Sequence, residues 1–317
     1  MNTKLDTKRI LIFLAFAFGI AWAAGLVIYL NGGLSNSPQI LPGGITLALA
    51  LMATVYMGAP ALANVFTRLI TREGWKNTML RPNIRRGWPY WLIAWVAPAI
   101  LTILGAAVYF LLFPQHFDAN LTSLKAQLEQ VGQGAMNPWM IVLIQTMLGV
   151  LISPLVNSIA TFGEEFGWRA YLLPKLMPLG SKKAMLASGI IWGVWHWPVI
   201  FMGYEYGLDY PGFPWVGPLL FLVFATAGGI FLSWVTLRGG SVWPAVIGHS
   251  AMNGIAALPV LFVRGTPNPL LGPLVVGVIG GIAYIALAVV LFFHPRALAP
   301  VETLPQVIPA EPVAAVS

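Results

Sequence analysis

Apolar residues run along this chain in long blocks, separated by short polar or basic stretches. A membrane helix needs roughly 20 mostly apolar residues. About eight segments reach that length: 10–30, 45–67, 89–113, 138–161, 184–203, 214–237, 241–263 and 268–293. The fourth is expected to continue as helix beyond 161. The seventh is the least apolar and carries a His and an Asn. Between the third and fourth lies SLKAQLEQV, whose amphipathic spacing predicts a short interfacial helix. No internal repeat, phosphate-binding loop or dinucleotide fingerprint breaks the pattern. The expected fold is all-α: a polytopic membrane protein of about eight transmembrane helices. It divides into N-terminal helices and loops over 1–137, a transmembrane core over 138–296 and a tail over 297–317. The tail is rich in Pro, Ala and Val and is expected to be disordered. The first apolar stretch exceeds the roughly 7–15 residues of a signal-peptide core, so a retained helix is expected.

Composition agrees with this pattern. The chain has 317 residues, of which 58% are hydrophobic and 9% charged. Soluble domains carry about 25% charged residues. Mean hydropathy is +0.80. The 13 Trp residues suit the bilayer interface. The formal charge of +7 marks topology rather than nucleic-acid binding. With the N-terminus placed in the cytoplasm, all of the 17 Lys and Arg except Lys125 and Arg264 fall on the cytoplasmic side. That bias predicts cytoplasmic N- and C-termini. Cysteine is absent, which excludes disulfides, thiolate metal sites and a Cys nucleophile. The outer loop YEYGLDYPGF at 204–213 is acidic and aromatic.

Ionisable groups inside membrane helices are costly, so each one here is a candidate for function. Glu164 and Glu165 close the fourth span, His196 lies in the fifth, and His249 and Asn253 lie in the seventh. His196 falls about 12 residues, or about 18 Å, into its span, and His249 about 8 residues, or about 12 Å. These depths overlap and predict one polar cavity, open toward the cytoplasm. Glu165 and Arg169 stand at i and i+4 and can pair. Glu164 and Glu165 differ by about 100° around the helix, so only one of them faces the cavity. The simplest division gives the cavity to Glu164 and the ion pair to Glu165; the reverse satisfies the same spacing. His249 and Asn253, again i and i+4, can face one point.

A carboxylate, two imidazoles and a carboxamide suit hydrolysis by activated water. A carboxylate in an apolar site can serve as general base near neutral pH. A His–Asn pair can donate to an oxyanion. A Zn²⁺ site built from Glu164, His196 and His249 is the alternative, although the sequence has no HExxH motif. A proton-coupled transporter using Glu164 is a further option, as is a non-catalytic immunity or scaffold protein that keeps these residues for packing.

Three motifs in order resemble one family. EEFGWR (Glu164, Glu165, Arg169) resembles EExxxR, WGVWH (Trp192 to His196) resembles FxxxH, and HSAMN (His249 to Asn253) resembles HxxxN. These are motifs of the CPBP intramembrane proteases, the CAAX prenyl endoprotease and bacteriocin-processing or Abi family. The resemblance extends over spans four to eight. It implies an intramembrane endopeptidase in which Glu164 and His196 activate water, His249 and Asn253 form the oxyanion site, and Glu165 and Arg169 give support. The family is often labelled metalloprotease, and a metal-independent glutamate mechanism has also been argued for CAAX-type members. The expectation here is that no cofactor is required, with Zn as the option. The implied partners are the lipid bilayer and a membrane-associated or prenylated protein or peptide, not nucleic acid. The implied location is the plasma (inner) membrane, with the active site toward the cytoplasm. Trp192 departs from the family pattern, standing where Phe is usual.

Overall fold

The computed structural model describes residues 4–294 together with 297 and 298. The expected tail and Arg296 otherwise lie outside the described residues. Helix α1 (Thr7–Leu30) leads to a two-stranded antiparallel hairpin, β1 (Gln39–Leu41) and β2 (Ile45–Thr46). Helix α2 (Leu47–Leu51) passes through a π-helical turn, Met52–Tyr56, into α3 (Met57–Thr71). Next come α4 (Ile84–Leu112) and the short α5 (Thr122–Gln130), which lies where SLKAQLEQV predicts it. A second π-helical turn joins α6 (Pro138–Met147) to α7 (Ser153–Val156). After a break at Asn157, α8 (Ser158–Gly167) winds through a third π-helical turn, Trp168–Leu172, into α9 (Leu173–Leu176). The remaining helices are α10 (Ser181–Trp195), α11 (Trp197–Phe201), α12 (Val216–Gly239), α13 (Trp243–Ile255) and α14 (Ile282–Phe293).

Among the described residues, six helical stretches are long and apolar enough to cross a membrane: Thr7–Leu30, Leu47–Thr71, Ile84–Leu112, Pro138–Val156, Val216–Gly239 and Trp243–Phe262. The protein is a polytopic all-α integral membrane protein. Large apolar side chains such as Leu111, Ile159 and Phe293 are exposed, as contact with lipid requires.

Two predicted spans take another form. The segment 184–203 is split at His196. Pro198 has no N–H to donate. The Val199 N–H bonds to the His196 carbonyl at 3.1 Å, which tightens the turn. The Trp195 carbonyl then accepts from the Tyr56 hydroxyl at 2.7 Å and the Trp22 indole at 3.2 Å. The segment 268–293 is helical only from Ile282. Pro267, Pro269 and Pro273 remove backbone donors before that point, and the chain there is irregular.

Close backbone contact joins α8 to α3. A Cβ on Gly167 would stand 2.3 Å from the Pro60 Cβ, and one on Gly163 would stand 2.6 Å from the Met57 carbonyl oxygen. Only glycine lets α3 lie this close to the turns that carry the glutamate pair. One end of the bundle is tied by charge. Arg9 reaches Asp6 at 2.9 Å and Glu73 at 3.4 Å, and Glu73 also accepts from the Tyr171 hydroxyl at 2.9 Å and from the Lys175 ammonium. This cluster joins the start of α1, the segment after α3 and α9.

Partial burial opposes ionisation of Glu73, but its bonds to Lys175 and Tyr171 outweigh that and hold its carboxyl below the ordinary value of 4.5. The tie is therefore complete above pH 4.5 and is lost as pH falls through the lower folded-state value. Glu73→Gln is expected to destabilise the detergent-solubilised protein by about 1–2 kcal/mol at neutral pH. The gap to wild type should narrow below pH 4.5 and close as pH falls through the lower folded-state value. Equal melting of the two proteins at neutral pH, followed by circular dichroism, would remove this cluster as a stabilising contact.

Candidate active site

The last turns of α8 separate the two glutamates as helical spacing requires. Glu165 Oε1 accepts from Arg169 Nη1 at 2.9 Å and from His249 Nδ1 at 2.8 Å. Glu165 and Arg169 are both fully buried. The pair with Arg169 follows from the i, i+4 spacing. The bond to His249, which ties α8 to α13, is an addition that the sequence did not suggest. One turn earlier, the Thr161 hydroxyl meets the Ser250 hydroxyl at 2.7 Å and donates to the Val246 carbonyl at 3.1 Å, fixing the same two helices.

Glu164 points elsewhere. Its Oε2 accepts from the Trp192 indole N–H at 2.7 Å, and its side chain lines a cavity of about 80 Å³. At about 30 Å³ per water, that is room for a few water molecules. His196, His249 and Asn253 line the same cavity, so all four residues singled out for the cavity share it. Glu164 and His249 are buried, His196 is half-buried and Asn253 is exposed.

Backbone and carboxylate partners fix the imidazole protons. His196 Nδ1 lies 2.8 Å from the Trp192 carbonyl, which can only accept. Nδ1 therefore carries the proton, and Nε2 of the neutral ring is an acceptor. His249 Nδ1 likewise donates to Glu165, leaving its Nε2 as the nitrogen without that bond.

Trp192 links these groups. Its ring lies 4.4 Å beneath the Arg169 guanidinium and packs edge-on to His196 and His249, with centroids at 5.5 and 5.3 Å. The sequence marked it only as a Trp standing where the family pattern has Phe. A phenyl ring could not donate to Glu164. Tyr56, Tyr204, Glu205 and Val275 also line the cavity and escaped sequence reasoning. The one available signal for Glu205 was its acidic, aromatic loop.

Beyond the four predicted residues, the cavity takes Met52 and Tyr56 from before α3, Tyr204 and Glu205 from the segment after α11, Phe221 from the start of α12, and Val275 and Val276 from the irregular chain before α14. His196 stands directly after the 15-residue α10.

The zinc alternative does not fit this donor set. Among the described residues, no group of three or more His, Cys, Asp or Glu is placed to hold a metal ion.

Comparison with known proteins agrees with the motifs. Residues 139–255 match the family model described as type II CAAX prenyl endopeptidase Rce1-like. A CAAX prenyl protease 2 from Methanococcus maripaludis is 36% identical over 97 residues, covering 30% of this chain and 35% of the relative. The aligned part thus spans about a third of that relative's length. The resemblance read from the three motifs is borne out over this segment, which holds Glu164, His196, His249 and Asn253.

Removing one partner of a buried ion pair typically costs about 3–5 kcal/mol. Arg169→Ala should therefore sharply reduce folded yield and melting temperature. The double variant Glu165→Gln, Arg169→Met, which leaves no uncompensated charge, should recover most of that loss. Unchanged melting of Arg169→Ala in detergent would contradict a structural role for the pair.

Proposed function

We propose that this membrane protein is an endopeptidase that hydrolyses a peptide bond of a membrane-associated protein or peptide, using water activated by Glu164 and His196. One observation carries the proposal: Glu164, held through Oε2 by Trp192, shares a water-sized cavity with two imidazoles and a carboxamide. The Rce1-like match over the same segment supports it.

In this mechanism Glu164 takes a proton from water as the oxygen attacks the substrate carbonyl. His196 Nε2 accepts a hydrogen bond from the same water and orients it. The Asn253 amide donates to the developing oxyanion, and His249 Nε2 joins it when the ring is doubly protonated. Glu164 then returns its proton to the leaving amine, which closes the cycle without a cofactor. Glu165 and Arg169 hold His249 and Trp192 in position. A prenylated, CAAX-like substrate is the finer expectation from the family. The Lys and Arg bias makes the Arg9–Lys175 end cytoplasmic.

The test is mass spectrometry of the products when the reconstituted protein is given membrane peptides. Glu164→Gln should lower kcat by about 10³-fold or more, and His196→Ala by about 10²-fold or more. Trp192→Phe keeps the ring but loses the N–H, so kcat should fall about tenfold, the effect of one lost hydrogen bond, with little change in KM. Cleavage that survives Glu164→Gln would refute the mechanism. Loss of activity on chelation, restored by Zn²⁺, would refute the cofactor-free cycle.

A further inference from the structure

Glu205 joins two cavities. It lines the inner one with Glu164 and His249, and an outer one of about 270 Å³ whose other walls include Asn253, Val260 and Leu274. Its position is held by the backbone. Glu205 sits at φ +71°, a region that side chains rarely adopt. The Tyr206 N–H bonds to the Tyr204 carbonyl at 2.9 Å and closes a three-residue turn around it. The Tyr206 hydroxyl anchors that turn to the Val276 carbonyl at 2.8 Å.

Among the described residues, no Lys or Arg lines the surroundings of this carboxyl. The other titratable groups on the two cavities are Tyr56 near α3, Glu164 on α8, His196 after α10, Tyr204 on its own turn and His249 on α13. Tyr206 lies beside it in the chain. The rest of the outer wall is mainly apolar. Such a vestibule suits a side chain with an aliphatic stem and a positive head.

We infer that Glu205 forms a subsite for a Lys or Arg side chain of the substrate, next to the bond presented to Glu164. This rests on the endopeptidase proposal and adds the substrate's charge to it. The Tyr204 hydroxyl already bonds to Glu205; the bound cation adds the positive charge that the lining lacks, and an acidic residue at that position is repelled. Burial pushes the Glu205 carboxyl up to about 7. Preference for a cation should therefore grow as pH rises through about 7 and fade below it.

The test uses apolar peptides of about 20 residues that differ only in one Lys, Gln or Glu, scanned across the cleaved bond. Affinity for the full chain in nanodiscs is measured beside cleavage, so that charge preference is read whether or not the bond breaks. At one position, wild type should favour Lys over Glu by about tenfold in Kd and in kcat/KM. Glu205→Gln, which keeps the size and the backbone demand, should bring the ratio near one. Glu205→Lys should invert it. The same ratios on a Glu164→Gln background isolate binding from chemistry. Absence of a charge preference in wild-type affinity, or its survival in Glu205→Gln, would overturn the subsite. A charge preference in affinity without any cleavage would uphold the subsite and refute the endopeptidase.

Discussion

A carboxylate buried without water has to be neutralised by its neighbours, and Glu165 is the group around which the site is built. Alone at that depth, its charge would cost several kcal/mol. Arg169 meets it from one turn further along the chain, and His249 meets it from α13, both within 3 Å. Arg169 makes a single hydrogen bond to Glu165 and leaves its Nε without a protein partner, so the face of Trp192, 4.4 Å away, supplies much of its remaining environment. One buried charge thus holds together α8, α10 and α13. Its neighbour Glu164 is turned about 100° aside by the helix and set toward the cavity.

The local part of this arrangement was legible in the sequence. The i, i+4 spacings of Glu165 with Arg169 and of His249 with Asn253 survive in the structure, because such spacing depends only on helical geometry. So does the sharing of one cavity by Glu164, His196 and the His249–Asn253 pair. The tertiary partners were not legible. Nothing in a linear pattern says that His249 turns its Nδ1 to Glu165, or that the Trp192 indole donates to Glu164. Hydropathy also counted 184–203 and 268–293 as continuous spans, since it records how apolar a stretch is and not whether its backbone can donate. The prolines at 198, 267, 269 and 273 carried that information.

These proline-interrupted stretches decide where the cavity lies. Non-helical backbone at membrane depth is tolerated where protein or a cavity satisfies it. At His196 the broken helix frees the Trp195 carbonyl for Tyr56 and Trp22, which brings α10 against α1 and the turn before α3. Before α14, the irregular chain supplies Val275 and Val276 as cavity wall, and Val276 anchors the turn that carries Glu205. A continuous eighth helix would offer no free carbonyl for Tyr206. Both departures from regular helix thus supply walls or anchors of the cavity.

Trp192 shows how a departure from a family pattern can carry chemistry. An indole and a phenyl ring give Glu164 a wall of similar shape, but only the indole has an N–H. Its bond fixes Oε2 and leaves Oε1 as the oxygen without that contact, so the carboxylate has one orientation instead of two. The indole cannot yield easily. Arg169 covers one face, His196 and His249 meet it edge-on, and its helix is pressed onto α12 where a Cβ on Gly189 would stand 2.7 Å from the Thr226 Cα. The aim of Glu164 is therefore set by how α10 packs on α12, beyond its own helix. Substitutions along that seam should act on Glu164 without touching it.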